Sequence, residues 1–283
     1  MKLVVRHLTK ADLEVAGTIA MAAYERTHSL EAEVRRNLAL QPDGWYLALL
    51  DDTPVGLGGA VDYGPFAYLG LMSVLPAMQG HGIGMALMKR ILAWLDDRQC
   101  PTVLLNARPR AVSLYKRCGF VEIDQTLQLH RAEQVPVTHP PVPLVTSIST
   151  DELPAVAAFD ALAFGANRLA ALSDHCAQDT AHFLISRDIA GQLTGFLVAR
   201  QGTLGPWNTS SVTDAECLLR QTLALPFSEP LTVSLSARHH AALDLLARYG
   251  FQVCRTLPHM RRGQPLQRDT QFHLYAMDNL GLG

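Results

Sequence analysis

The sequence has little of what would mark a secreted, membrane-spanning or nucleic-acid-binding chain. Its five cysteines, Cys100, Cys118, Cys176, Cys217 and Cys254, are odd in number, far apart and never in a C-x-x-C pair, which excludes a disulfide framework and a zinc site. They read as reduced core fillers. No window holds the uninterrupted apolar run of about 18 residues that a membrane helix needs, and charges come too early for a signal peptide. Only 18% of residues are charged, the formal net charge is −2, and Lys and Arg are scattered, so the basic patch of a nucleic-acid binder is missing. The expectation is a soluble cytoplasmic monomer or homodimer that holds no metal and binds neither nucleic acid nor membrane. Two glycine fingerprints are also missing: G-x-G-x-x-G of dinucleotide folds and the Gly-Lys-Ser/Thr of triphosphate loops. What the 283 residues do have is a 48% apolar composition, enough for one large domain or two ordinary ones.

The densest information lies in Leu71–Trp94. An apolar run stops at Pro76, and Gly80, Gly82 and Gly84 then alternate with Gln79, His81 and Ile83 before an amphipathic stretch. Met85, Leu87, Met88, Ile91, Leu92 and Leu95 form one helical stripe, with Lys89, Arg90 and Asp96 facing water. A helix that opens from such a loop aims free N–H groups and a positive dipole end at a backbone without Cβ atoms, an arrangement suited to a diphosphate.

Around this stretch the pattern predicts a strand over 2–7, a helix capped by Thr9 and running to Tyr24, and a second helix over 30–40. A hairpin follows, 45–50 and 55–63, turned at Asp51–Pro54. Then come a strand over 67–74, the helix over 83–98, a buried strand over 102–106, a helix over 111–117 and a strand over 121–130. Residues 131–145 hold four prolines and no periodicity, so they read as a linker. The expected division is therefore 1–130, linker 131–145, and 146–283.

Two motifs carry a resemblance. Val74-x-Pro76 with Gln79-Gly80-His81-Gly82-Ile83-Gly84 matches V-x-P and Q-x-x-G-x-G/A, and Leu114–Phe120 matches L-Y-x-x-x-G-F. The first half thereby resembles the GNAT superfamily of acyltransferases, in element order as well as motif. The resemblance implies an α/β fold with a mixed sheet, acetyl-CoA as cosubstrate at residues 79–84, and Met72, Ser73 and Val74 lining the thioester. It also implies Tyr115 as the general acid that protonates the departing thiolate; the alternative is that Tyr115 only packs under the sheet with Leu114 and Phe120. The activity implied is transfer of an acetyl group to a primary amine, of a small molecule or a peptide, by direct attack. A non-catalytic acyl-CoA-binding or sensor module is the other reading. An attacking amine must be neutral, so a base is needed. Glu25 and His28, after the first helix, and Asp62 are candidates by position, Glu25 first as base and the others toward the acceptor.

Beyond the linker the pattern restarts. Thr150–Leu153 repeats a capped helix start, and Leu245–Phe251 echoes Leu114–Phe120. The repeat offset shrinks from 140 between Leu13 and Leu153 to 131 between Phe120 and Phe251, so the deletion lies where the glycine loop should be. Gly205–Asp214 replaces that loop, Asp214 and Glu216 open the expected helix with negative charge, and Leu246 stands where Tyr115 stands. The second half is thus expected to be a degenerate GNAT-like repeat without CoA. Phe164-Gly165 with Arg168, and His259–Gly263, resemble segments of bacterial tandem-GNAT acetyltransferases of the YitH type; mycothiol synthase is another class with two such repeats. Arg168, in the loop after a helix, is a candidate grip for a carboxylate or phosphate on the acceptor.

Overall fold

The computed structural model describes residues 2–131, 144–178, 181–200, 202–266 and 273–283. All but the ends of the expected linker lie outside the described residues. The chain forms two compact units. Unit 1 takes the chain up to Val121 together with Met260–Pro265 and Leu282; unit 2 holds Glu122–His259, Leu266–Gly281 and Gly283.

In unit 1, β1 (Leu3–His7) is followed by α1 (Leu13–Tyr24) and α2 (Glu31–Leu40). Asp12 ends the short turn before α1, where its carboxylate accepts from the Thr9 backbone N–H (2.8 Å) and hydroxyl (2.7 Å) and from the Arg6 fork at 2.8 and 2.7 Å. Arg6 holds this carboxyl well below the usual carboxylate range. The hairpin β2 (Trp45–Leu50) and β3 (Thr53–Asp62) turns on two residues, since Thr53 already pairs with Leu50 and Pro54 with Leu49. The turn expected over four residues is shorter because Asp51 and Asp52 both adopt positive φ, 46° and 64°, as tight hairpins require. Then come β4 (Ala67–Val74), α3 (Ile83–Asp97), β5 (Thr102–Asn106) and α4 (Val112–Arg117).

The sheet runs β1-β2-β3-β4-β5, antiparallel up to the parallel pair β4–β5. One face packs α1 and α2 through Ile19, Val34, Trp45 and Leu57. The other packs α3 and α4 through Leu87, Met88, Ile91 and Phe120, each contributing about 1.5–3 kcal/mol of apolar burial. Beside β5, Gln264 donates to Pro101 O (3.1 Å) and Thr102 Oγ1 donates to Gln264 O (2.8 Å). Arg262 grips Asp96 with both Nη atoms, at 2.8 and 3.1 Å, and Met260 is fully buried in the α3-side core.

Unit 2 begins with nearly all of β6 (Val121–Arg131), which pairs antiparallel with β11 (Leu231–Ser236). Its other elements are β7 (Val145–Ser147), α5 (Leu153–Phe164), α6 (Leu169–Cys176), β8 (His182–Arg187), β9 (Leu193–Arg200), β10 (Thr203–Thr209), α7 (Val212–Leu223), α8 (His240–Arg248), β12 (Gln252–Gly263, its last residues in unit 1) and β13 (His273–Ala276). The strand order is β12-β6-β11-β10-β9-β8-β7, with β13 on β10. Both units mix strands and helices, giving the α/β class with a mixed sheet. Among the described residues no helix is long and apolar enough to cross a membrane. All five cysteines are free, but Cys254 is exposed and the others are half-buried, so none is a full core filler.

Candidate active site

The site begins with a defect in β4. Leu57 pairs with Ser73 and Gly59 with Gly70, so Gly58 alone faces both Leu71 and Met72. This is a β-bulge, and Leu71 pays for it with a φ of 50°. Gly58 leaves room for Met72, whose Sδ would lie 2.2 Å from a Cβ there and would have to move. Past the bulge β4 leaves β5: their parallel pairing covers only Ala67 with Val103 and Tyr68 with Leu104. Asn106 Nδ2 donates to Tyr68 Oη (2.9 Å) across the fork. The edge of Gly70–Val74 facing β5 therefore has backbone groups with no strand partner, an extended slot beside the bulge.

The glycine loop stands at the end of that edge. Gln79, Gly80, His81 and Gly82 are exposed, whereas Ile83 is buried and anchors the start of α3. Gln79 Nε2 donates back to Val74 O (3.2 Å), tying the loop to β4. Gly80 and Gly82 have φ of 84° and 79°, and a Cβ on either would meet nothing within 4 Å. Gly82 caps α3 with no side-chain hydrogen bond, and the first turn holds no acid. The first N–H groups of α3 are thus left to a ligand. Gly84 differs: its Cβ would lie 3.2 Å from Leu114, so this glycine serves the packing of α4.

Local charge favours an anion more than the whole-chain balance suggested. Residues 63–95, which hold the slot, the loop and α3 up to Leu95, contain no Asp or Glu but Lys89 and Arg90, and α4 adds Lys116 and Arg117. A count by segment rather than by chain would have exposed this asymmetry.

Tyr115 belongs to the same core as Ile83, and Met72, Val74 and Leu114 pack against it. It is 5% exposed, its ring meets Phe120 edge-on at 5.9 Å, and burial, then the neighbouring Tyr24, pushes its phenol far up. Ser73 is buried with an Oγ that finds no protein partner. The loop after α1 reaches the same region through two arginines that sequence reasoning gave no role. Arg108 donates to Ala23 O (3.0 Å) and Tyr24 O (3.2 Å) and stacks 4.6 Å over the Tyr24 ring. Arg110 donates to Ala23 O (2.9 Å) and lies 3.5 Å from Glu25. Both satisfy carbonyls at the end of α1, where cations are favoured. Glu25 sits in the left-handed region at the end of α1 with its side chain 76% exposed, and His28 is exposed in the same loop.

Two candidates lie elsewhere. Asp62 accepts from Arg98 Nε (2.8 Å) and the Gly64 N–H (2.8 Å). Arg98 caps the end of the 15-residue α3 opposite Gly82, about 22 Å away at 1.5 Å per residue, so Asp62 is no neighbour of the loop. Arg168 is in unit 2 and buried there. Its fork holds Asp160 at 2.6 and 2.9 Å, it donates to Gly283 O (3.0 Å), and it stacks 4.0 Å over Phe164. The guanidinium expected to grip an acceptor is consumed by an internal carboxylate.

Unit 2 repeats the fork and closes it. β10 pairs parallel with β11 only at Thr203–Leu204, and beyond that β13 pairs with β10 from Trp207 to Thr209. Met277 N–H donates to Ser234 O of β11 (2.8 Å), and the Tyr275 ring lies 4.9 Å from that of Trp207. The slot is filled by the chain's own strand. The stretch expected as a replacement loop is mostly β10; α7 starts at Val212, earlier than expected, after only Ser210 and Ser211. Ser211 Oγ accepts from the Asp214 N–H (3.0 Å) and donates to its carboxylate (2.5 Å), closing the helix start. Leu246 is fully buried.

The Acetyltransferase (GNAT) family model matches residues 9–120, and a second model, Acetyltransferase (GNAT) domain, matches residues 156–276. No curated protein matches the chain. A structure assigned as an acetyltransferase from Pyrococcus horikoshii is similar at 26% identity and TM-score 0.87, over 99% of this chain and 96% of that one. A GCN5-related N-acetyltransferase from Sphaerobacter thermophilus shares the fold at 18% identity and TM-score 0.70, over 94% of this chain and 97% of that one. The chain belongs to the GNAT acetyltransferase family, with two of its domains in tandem.

Proposed function

We propose that the first half binds acetyl-CoA and moves its acetyl group to a primary amine by direct attack, and that the second half binds no CoA. The observation that carries this reading is the continuity of slot and loop: an unpaired β4 edge runs into a glycine turn whose open Cβ positions and uncapped helix start fit a diphosphate. Among the described residues of unit 2 nothing comparable is open, since β13 fills the fork and Ser211 caps the helix. The role of unit 2 is then to recognise the acceptor, to regulate or to stabilise, as in a degenerate repeat of the bacterial tandem type.

In the proposed reaction the lone pair of a neutral amine forms the N–C bond at the thioester carbonyl, and the C–S bond breaks as the carbonyl re-forms. The free N–H groups of β4 past the bulge are placed to stabilise the oxygen that gains charge. Tyr115 gives its proton to the departing sulfur and regains one through solvent from the nitrogen, which loses its second proton as it becomes an amide; the burial that raises its phenol keeps the phenolic proton in place until a thiolate develops. Glu25, in the loop that Arg108 and Arg110 pin, takes the proton of the incoming ammonium. The test is acetyl-CoA turnover over a library of amines, amino acids, polyamines, aminoglycosides and lysine peptides, followed by free-thiol release. Amine-dependent thiol release supports transfer. Tight CoA binding with no release for any amine would favour the sensor reading.

A further inference from the structure

Within the glycine loop, Gln79–Gly84, the one ionisable side chain is the imidazole of His81. Its Nδ1 lies 3.0 Å from Gln79 O and 3.3 Å from Met78 O. Carbonyl oxygens only accept, so Nδ1 must carry the hydrogen, which fixes the tautomer. In the neutral ring Nε2 then presents a lone pair, which repels a phosphate oxygen. Only the imidazolium can donate from Nε2 to an anion.

We infer that His81 contacts the diphosphate only when protonated, so that acyl-CoA binding takes up a proton and tightens as pH falls. The inference rests on the placement of the diphosphate at residues 79–84. Nothing else carried by the elements around the loop supplies that proton. β4, the loop and α3 before Asp96 hold no carboxylate and no second histidine, and the charged groups of α3 and α4 nearest in sequence are the bases Lys89, Arg90, Lys116 and Arg117. The Cys118 thiol, against Met85 at 3.8 Å, is pushed up by burial and stays protonated. On the ligand, the 3′-phosphate of CoA titrates near pH 6 as phosphomonoesters do, whereas the diphosphate of dephospho-CoA has no such step.

Dephospho-CoA is therefore the probe, titrated calorimetrically into the full chain at neutral pH in two buffers of different ionisation enthalpy, with Kd also measured at about pH 5.5 and 8.5, either side of the usual imidazole range. The expected result is net proton uptake and a Kd roughly 5- to 10-fold tighter at the lower pH, the scale of one partly exposed charge-assisted hydrogen bond. His81→Asn should still bind but lose both the uptake and the pH dependence. Binding without proton uptake, or uptake that survives in His81→Asn, overturns the inference while leaving the CoA assignment standing. Failure of both dephospho-CoA and CoA to bind overturns the assignment itself, and the inference with it.

Discussion

In the proposed reaction, Tyr115 is the residue on which catalysis, as distinct from binding, would depend. Its ring packs in the core, and with its hydroxyl as the proposed acid, Tyr115→Phe should keep the fold and the Kd for CoA while kcat falls roughly 10- to 1000-fold. Stopped-flow thiol release with an active amine checks this, and a raised acetyl-CoA KM at normal kcat would make Tyr115 a binding residue. At this scale the sequence was legible where backbone geometry dictated the residue. Gly80 and Gly82 could be read as open positions because positive φ favours glycine there. Gly84 looked the same in the string, yet it is small for Leu114. Asp62, which ends β3, and Arg168, in a loop, carry no sign in the sequence of the partners that hold them. Arg98 and Asp160, which take them up, lie 36 and 8 residues away.

The same difference separates elements. The helices and strands of the first half follow from periodicity and caps, but the bulge in β4 does not, since Leu71 at φ 50° has no propensity for that conformation. β13 was not anticipated either: four residues near the chain's end hold no pattern that says they fill a fork in the sheet. Two buried ionic clusters hold the segment that follows it. Asp278 accepts from Arg200 (3.1 Å) and lies 2.8 Å from His175 Nε2, while Arg168 links Asp160 to Gly283 O. Arg168 and Asp160 are 1% and 0% exposed, so Asp160→Ala takes the neutralising carboxylate from a buried guanidinium and should cost about 3–5 kcal/mol. Denaturant unfolding of Asp160→Ala against the double change Asp160→Leu with Arg168→Met tests this, because the apolar pair should recover most of the loss. A single variant as stable as the parent would mean the pair contributes nothing.

For the molecule as a whole, the sequence halves and the compact units do not coincide: Glu122–Arg131 lies in unit 2 and Met260–Pro265 in unit 1. The physical basis for the closing His259–Gly263 motif is now visible, since Met260 fills the core of unit 1, Arg262 grips Asp96, and a Cβ on Gly263 would lie 2.1 Å from Pro101 O. A fragment of residues 1–131 lacks all three, and the missing Met260 side chain alone would cost about 2–5 kcal/mol. The fragment is expected to show no cooperative thermal transition where the full chain shows one; cooperative melting with native near-UV dichroism would contradict this. The sequence leads to the expectation of one CoA site per chain, in the first half, and the fork of unit 2 filled by β13 supports that proposal. Calorimetric titration of the full chain with CoA measures that directly. One site per chain is predicted, abolished by Gly82→Asp, which sets a carboxylate against the diphosphate at the start of α3; two sites per chain, or one that survives Gly82→Asp, would contradict it.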